Sequence, residues 1–137
     1  MFIRAQEIKN VNIGYGEFKR KDKYCNLCKR TYHTYEEKQT DVNIAIQLFK
    51  LSIEDKYDKA IIISGDSDLI PSIIAVRNTF QNNRIGVLIP IGRQAEALKN
   101  TCDFHMKMKE KQLQSSRLEN EIDLGNDKKL ICPMEWR

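Results

Sequence analysis

The stretch AIIISGDSDLIP, residues 60–71, constrains this chain more than any other. Ala60 to Ile63 is wholly apolar and stops at Ser64-Gly65, the pattern of a strand buried on both faces, as in a parallel sheet. Two carboxylates, Asp66 and Asp68, follow at once. Ligands of open α/β sheets bind beyond the carboxyl ends of the strands. Two aspartates placed there, two residues apart around Ser67, suit a hard cation such as Mg²⁺ or Mn²⁺, which takes carboxylate oxygens and water. The competing assignment is helix capping, because Asp68 stands just before Leu69 and aspartate is a good cap. Capping accounts for one aspartate and leaves the other unexplained.

The segments on either side extend the α/β reading. Val11–Phe18 (VNIGYGEF) reads as a strand after a short helical or irregular start, and Lys19–Glu37 as a basic, cysteine-containing loop. Thr40 reads as the N-cap of a helix. Asp41 falls in its first turn, where the helix dipole favours negative charge. Val42, Ala45, Ile46, Phe49 and Ile53 recur at three- and four-residue spacing and predict one buried stripe. Leu69–Phe80 reads as a helix with Pro71 tolerated in its first turn. Ile85–Ile89 is a second buried strand stopped by Pro90, Arg93–Asn100 a short helix, and Phe104–Met108 a third short strand. Alternating strands and helices imply a mostly parallel sheet with right-handed crossovers. From Lys109 the chain turns polar and reads as an extended tail docking through Ile131 and Trp136. The expected organisation is one domain over residues 1–108, with the basic loop at 19–37, and a C-terminal tail over 109–137.

Asp41 strengthens the metal reading, because β-α crossovers bring such helix starts to the sheet edge that carries Asp66. The adjacent Lys38 either faces a phosphate or partners a glutamate. In the basic segment, Lys19, Arg20, Lys21, Lys23, Lys29, Arg30 and Lys38 outnumber Asp22, Glu36 and Glu37, and the difference equals the net +4 of the whole chain. Such a patch suits a phosphate backbone; a solvated loop without a partner is the other reading.

YEEKQTDVNIAIQLFKLS, AIIISGDSDLIPSI and IGVLIP, at these spacings, resemble the NYN-domain proteins, a PIN-like nuclease family, and within it the bacterial LabA-like group. That group shows an EEK-x-[ST]-DVN-[IL]-A helix start and a strand ending in S-[GN]-DSDL. DFHMKMKEKQLQSSRLENEI followed by KLICPMEW is similar to its closing segment. The resemblance spans nearly the whole chain. It implies a three-layer PIN-like, Rossmann-like α/β fold and a divalent-metal-dependent ribonuclease that hydrolyses RNA phosphodiester bonds. Carried onto this sequence, Asp41, Asp66 and Asp68 become the catalytic metal ligands for Mg²⁺ or Mn²⁺. Lys38, Thr40, Asn43 and Ser64 become the substrate-side and orienting residues. Family members begin with a strand of the form hhhDGxNhh, which supplies a further ligand. Phe2-Ile3 here is followed by Arg4, so the chain reads as N-terminally truncated relative to the family. The alternative function is therefore a catalytically inactive remnant that binds RNA or protein.

Four cysteines, Cys25, Cys28, Cys102 and Cys132, complete the inventory. No signal peptide opens the chain and no apolar run reaches membrane-spanning length. A cytoplasmic protein without a membrane partner is expected, with free thiols or metal ligands rather than disulfides. Cys25-x-x-Cys28 is half of a zinc knuckle. His33 is a candidate third ligand, and Cys102 or Cys132 a distant fourth; two unligated thiols in a loop is the other reading. A structural Zn²⁺ linking a homodimer is one version of the non-catalytic alternative. His105 reads as an ordinary partly buried histidine.

Overall fold

The computed structural model describes residues 1–136. In chain order the elements are α1 (Phe2–Ile8), β1 (Glu17–Tyr24), β2 (Thr31–Lys38), α2 (Thr40–Ile53), β3 (Lys59–Ile63), a 3₁₀ turn (Ser67–Leu69), α3 (Ile70–Thr79), β4 (Arg84–Ile89), α4 (Glu96–Thr101), β5 (Phe104–Lys107), α5 (Glu110–Ser115), β6 (Glu121–Asp123), β7 (Lys129–Ile131) and a closing 3₁₀ turn (Met134–Trp136). They fall into two compact units, Tyr15–Met108, and Met1–Gly14 together with Lys109–Arg137. No helix among the described residues is long and apolar enough to cross a membrane.

The larger unit is a mixed α/β structure around a parallel sheet in the order β3-β4-β5. Ala60 and Ile62 of β3 lie beside Ile85 and Val87 of β4 and share one face with them. That face packs on Leu48 of α2, Leu69, Ile73 and Val76 at and within α3, and Leu98 of α4. Each fully buried aliphatic side chain there contributes roughly 1.5–3 kcal/mol. The helix reading of 69–80 and the two later strands agree with the structure to within a residue or two at each end. Pro71 stands in the first turn of α3, where no backbone N–H is missed.

The opposite face of the sheet is exposed along much of its two outer strands. Ile61, Gly86 and Phe104 lie side by side on it, followed by Ile63, Leu88 and Met106. Ile61 is 53% exposed and Ile63 60% exposed. β3 therefore packs one face only, against the expectation of two: Ile62 turns to the helices of the core, while Ile61 and Ile63 turn to the other side and are exposed. Gly86 is required where it stands: a Cβ there would lie 2.1 Å from the Phe104 ring, which crosses it. His105, on the other edge strand, is exposed rather than partly buried.

Several local expectations change. Residues 11–16 are irregular and the strand begins at Glu17. The expected basic loop is an antiparallel hairpin pairing Glu17 with Lys38 and Tyr24 with Thr31. Every residue of β1 is exposed, so no apolar alternation marks it. Its ladder is held by backbone bonds and by cross-strand pairs, Lys21 with Glu36 at 2.9 Å and His33 with Asp22 at 2.5 Å. Helix α2 buries Leu48 and Ser52, with Ile44 and Phe49 packed alongside, while Val42, Ile46 and Ile53 are exposed. Ser52 is tolerated in the core because its hydroxyl donates to the Leu48 carbonyl at 2.8 Å and meets the Tyr57 hydroxyl. Helix α4 starts at Glu96, so Arg93 lies in the preceding loop.

In the smaller unit the polar segment from Lys109 onward is structured rather than extended. It carries α5 and the β6–β7 hairpin, turned at Gly125 with φ 76°. Trp136 meets Phe2 edge-on, with ring centroids 6.4 Å apart.

Candidate metal centre

Parallel strands direct their carboxyl ends to one edge of the sheet, and the chain leaving β3 there turns sharply. The Asp66 backbone N–H donates to Ser64 Oγ at 3.0 Å, and Asp66 Oδ1 accepts the Asp68 N–H at 3.0 Å. Asp66 is thus the cap of the 3₁₀ turn, and Asp68 lies in that turn. The capping assignment holds for Asp66, but it uses only one carboxylate oxygen.

Asp41 arrives from α2. That helix is capped differently from the expectation. Gln39, in the left-handed conformation at φ 76°, is the capping position and Thr40 the first helical residue. The Glu37 carboxylate accepts from both the Thr40 hydroxyl and the Thr40 N–H, the latter at 3.3 Å. An acid reaching forward from β2 takes the role expected of the threonine.

Asp41, Asp66 and Asp68 converge so that one oxygen of each lies within 4.8 Å of the others, on the accessible surface. Among the described residues, no other group of three or more His, Cys, Asp or Glu side chains has this spacing. Oxygens around a single Mg²⁺ at about 2.1 Å lie roughly 3–4 Å apart, within a small side-chain adjustment of what is present. The donor set is all carboxylate, which fits a hard divalent ion. Partial burial, then the charges of Asp66, Asp68 and Glu37, raise the Asp41 pKa above the ordinary carboxylate range. The cluster therefore repels itself and favours a cation.

The neighbouring residues take specific positions. Lys38 Nζ lies 3.2 Å from Glu36, which also binds Lys21; these two lysines hold the Glu36 carboxyl below its ordinary pKa. Asn43 Nδ2 donates to the Tyr15 carbonyl at 3.1 Å, tying the irregular segment before β1 to α2. Two further residues stand here that the sequence pattern does not assign to the site. Glu37 adds a fourth acid whose charge reaches Asp41. Arg93 lays its side chain across Gly65, whose added Cβ would meet Arg93 Cβ at 3.2 Å. The available signal for Arg93 is its place in the loop beyond β4, which opens at the same sheet edge as the loop beyond β3. Cys25 and Cys28 lie at the hairpin tip, and no third ligand of these types joins them among the described residues.

The family model for the NYN domain matches residues 5–109. Among curated proteins the chain is similar to 6-hydroxy-3-succinoylpyridine 3-monooxygenase HspA of Pseudomonas putida, with 41% identity over 59 residues. That stretch is 43% of this chain and 19% of the Pseudomonas protein, so the chain matches only about a fifth of that relative's length. No solved structure matches the chain.

Proposed function

The chain belongs to the NYN domain family, and from that premise we propose that it is a divalent-metal-dependent ribonuclease, an endoribonuclease acting on cytoplasmic RNA. The observation that carries this reading is the convergence of Asp41, Asp66 and Asp68 at the carboxyl edge of the sheet. These residues would hold Mg²⁺ or Mn²⁺. Such an ion, when bound, supplies an activated water and neutralises charge developing on the phosphate. Asp66 is held in place by its bond to the Asp68 N–H. Arg93, whose aliphatic stem lies beside Gly65, brings a guanidinium capable of bidentate donation to a phosphodiester. Ser64 and Thr40 fix the local backbone and cap geometry, while Lys38 and the other basic residues of the hairpin track the RNA strand. Asn43 acts through the Tyr15 segment rather than on substrate.

A second reading, a non-catalytic RNA-binding or protein-interaction module, draws on the position of β3 as an outer strand without a further partner among the described residues, and on its exposed Ile61 and Ile63. The monooxygenase activity in the name of the Pseudomonas relative is not transferred to a chain that matches so little of that protein. The test is cleavage of a labelled single-stranded RNA with Mg²⁺, Mn²⁺ or chelator, beside Asp66→Ala. Ion-dependent cleavage lost at least about a hundredfold in the variant is expected. Cleavage that persists in chelator, or is equal in the variant, refutes the proposal; RNA binding without cleavage favours the module.

A further inference from the structure

The hairpin tip has features that the nuclease reading does not use. Residues 25–30 are closed by two backbone bonds: the Cys25 N–H donates to the Arg30 carbonyl at 2.9 Å, and the Lys29 N–H to the Cys25 carbonyl at 2.9 Å. Lys29 adopts φ 55°, the left-handed conformation, directly after Cys28. Hydrogen bonding from Cys28, and then from the Leu27 backbone, holds the Cys25 thiol below its ordinary pKa. N–H groups aimed at a sulfur are what stabilise a thiolate. The closed turn therefore brings Cys25 and Cys28 together at the hairpin tip, as one half of a tetrahedral thiolate site.

The other half is not supplied locally. No third His, Cys, Asp or Glu joins the pair among the described residues. His33 is engaged with Asp22 further down the ladder. Cys102 is buried in the core, and that burial raises its thiol pKa. Zn²⁺ in structural sites takes four ligands, so two thiolates leave it half-coordinated.

The surroundings point to what completes it. Leu27, between the two cysteines, is 96% exposed, and Tyr24 beside them is 58% exposed. A two-stranded ribbon with so little of its surface covered is marginal in water. Apolar side chains flanking a half-site at its tip match the surface of an identical tip, with which they would form a small apolar rim around a shared ion.

We propose that Cys25 and Cys28 bind Zn²⁺ jointly with the same pair from a second copy of this chain, giving a Cys₄ site that links two hairpins. Four thiols lose four protons to solvent as one ion binds, and no redox change occurs. The proposal stands apart from the nuclease reading, and its readouts do not use RNA cleavage.

The experiment is elemental analysis, thiol titration and light scattering on the whole chain purified with zinc. One Zn²⁺ per two chains in a dimer is expected, with monomers after strong chelation and dimers again on zinc addition. Co²⁺ in place of zinc should give the charge-transfer absorption of a tetrahedral tetrathiolate site. Cys25→Ser and Cys28→Ser should each abolish zinc and dimer, and Cys132→Ser neither. Chelation of the unaltered protein gives the same readout if a cysteine variant does not fold. One zinc per monomer overturns the shared site. A zinc-free protein with a Cys25–Cys28 disulfide, or a dimer that survives zinc removal unchanged, overturns it as well.

Discussion

Replacing Asp41 by asparagine tests the acid cluster through stability alone. The substitution keeps shape and removes one charge. One carboxylate oxygen of each residue in the cluster lies within 4.8 Å of the others. At that distance in a water-like dielectric, one pair of charges repels by about 0.9 kcal/mol. Low salt, near 10 mM, screens this little, so the pairs with Asp66 and Asp68 together cost roughly 1.5 kcal/mol. Losing a first-turn negative charge gives back about 0.3–1 kcal/mol of dipole stabilisation. The variant should therefore be more stable than the parent by about 0.5–1 kcal/mol at neutral pH without divalent ions, a rise of roughly 2–5 °C in Tm. Adding Mg²⁺ or Mn²⁺ should reverse the order, because the ion stabilises the parent by RT ln(1 + [L]/Kd), about 1.4 kcal/mol at ten times Kd, and the variant far less. The pH dependence carries a definite sign. The folded-state pKa of Asp41 is raised, so the folded chain binds that proton more tightly than the unfolded one. Its penalty is full above the raised value and vanishes as pH falls through it toward the ordinary carboxylate range. The gap between parent and variant should close over that window. Thermal and denaturant unfolding across pH, with and without ions, measure all three effects. If Asp41→Asn lowers the metal-free stability and divalent ions stabilise both proteins equally, the cluster is a set of helix caps and the metal reading fails.

Two further outcomes are expected. Gly86→Ala places a methyl within 2.1–2.5 Å of the Phe104 ring and should cost about 1–3 kcal/mol in denaturant unfolding, partly recovered when Phe104 is shortened to leucine; a neutral Gly86→Ala would show that the ring swings away freely. Arg93→Ala should lower RNA cleavage about 10–100-fold while leaving the divalent-ion stabilisation intact; loss of both would make Arg93 a structural brace.

How much of this was legible in the sequence depended on where each signal lay. The clustering of the three aspartates was legible because Asp66 and Asp68 directly follow an apolar strand and Asp41 opens a helix, and parallel topology alone puts those two places at one edge. The hairpin was not, because both its faces meet water: Phe18, Tyr24, Tyr32 and Tyr35 are all exposed, so no alternation separates inside from outside. In α2 the expected stripe holds at Phe49 and fails at Val42, Ile46 and Ile53. Val42 and Ile46 face outward while Ser52, satisfied by Leu48 and Tyr57, turns in; a hydrogen bond outweighed a pattern. Both faces of β3 look equally apolar in sequence, and only the packing of α2, α3 and α4 on one of them distinguishes Ile62 from Ile61 and Ile63.

That difference has a thermodynamic consequence. Parallel sheets occur almost only with both faces covered, and here Ile61, Ile63 and Met106 meet solvent on one of them. Anything that seats on this face binds the folded chain and not the unfolded one, so mass action couples folding to association. The apparent stability of the chain then becomes a function of its own concentration and of its company, and a single melting temperature describes a mixture rather than a molecule.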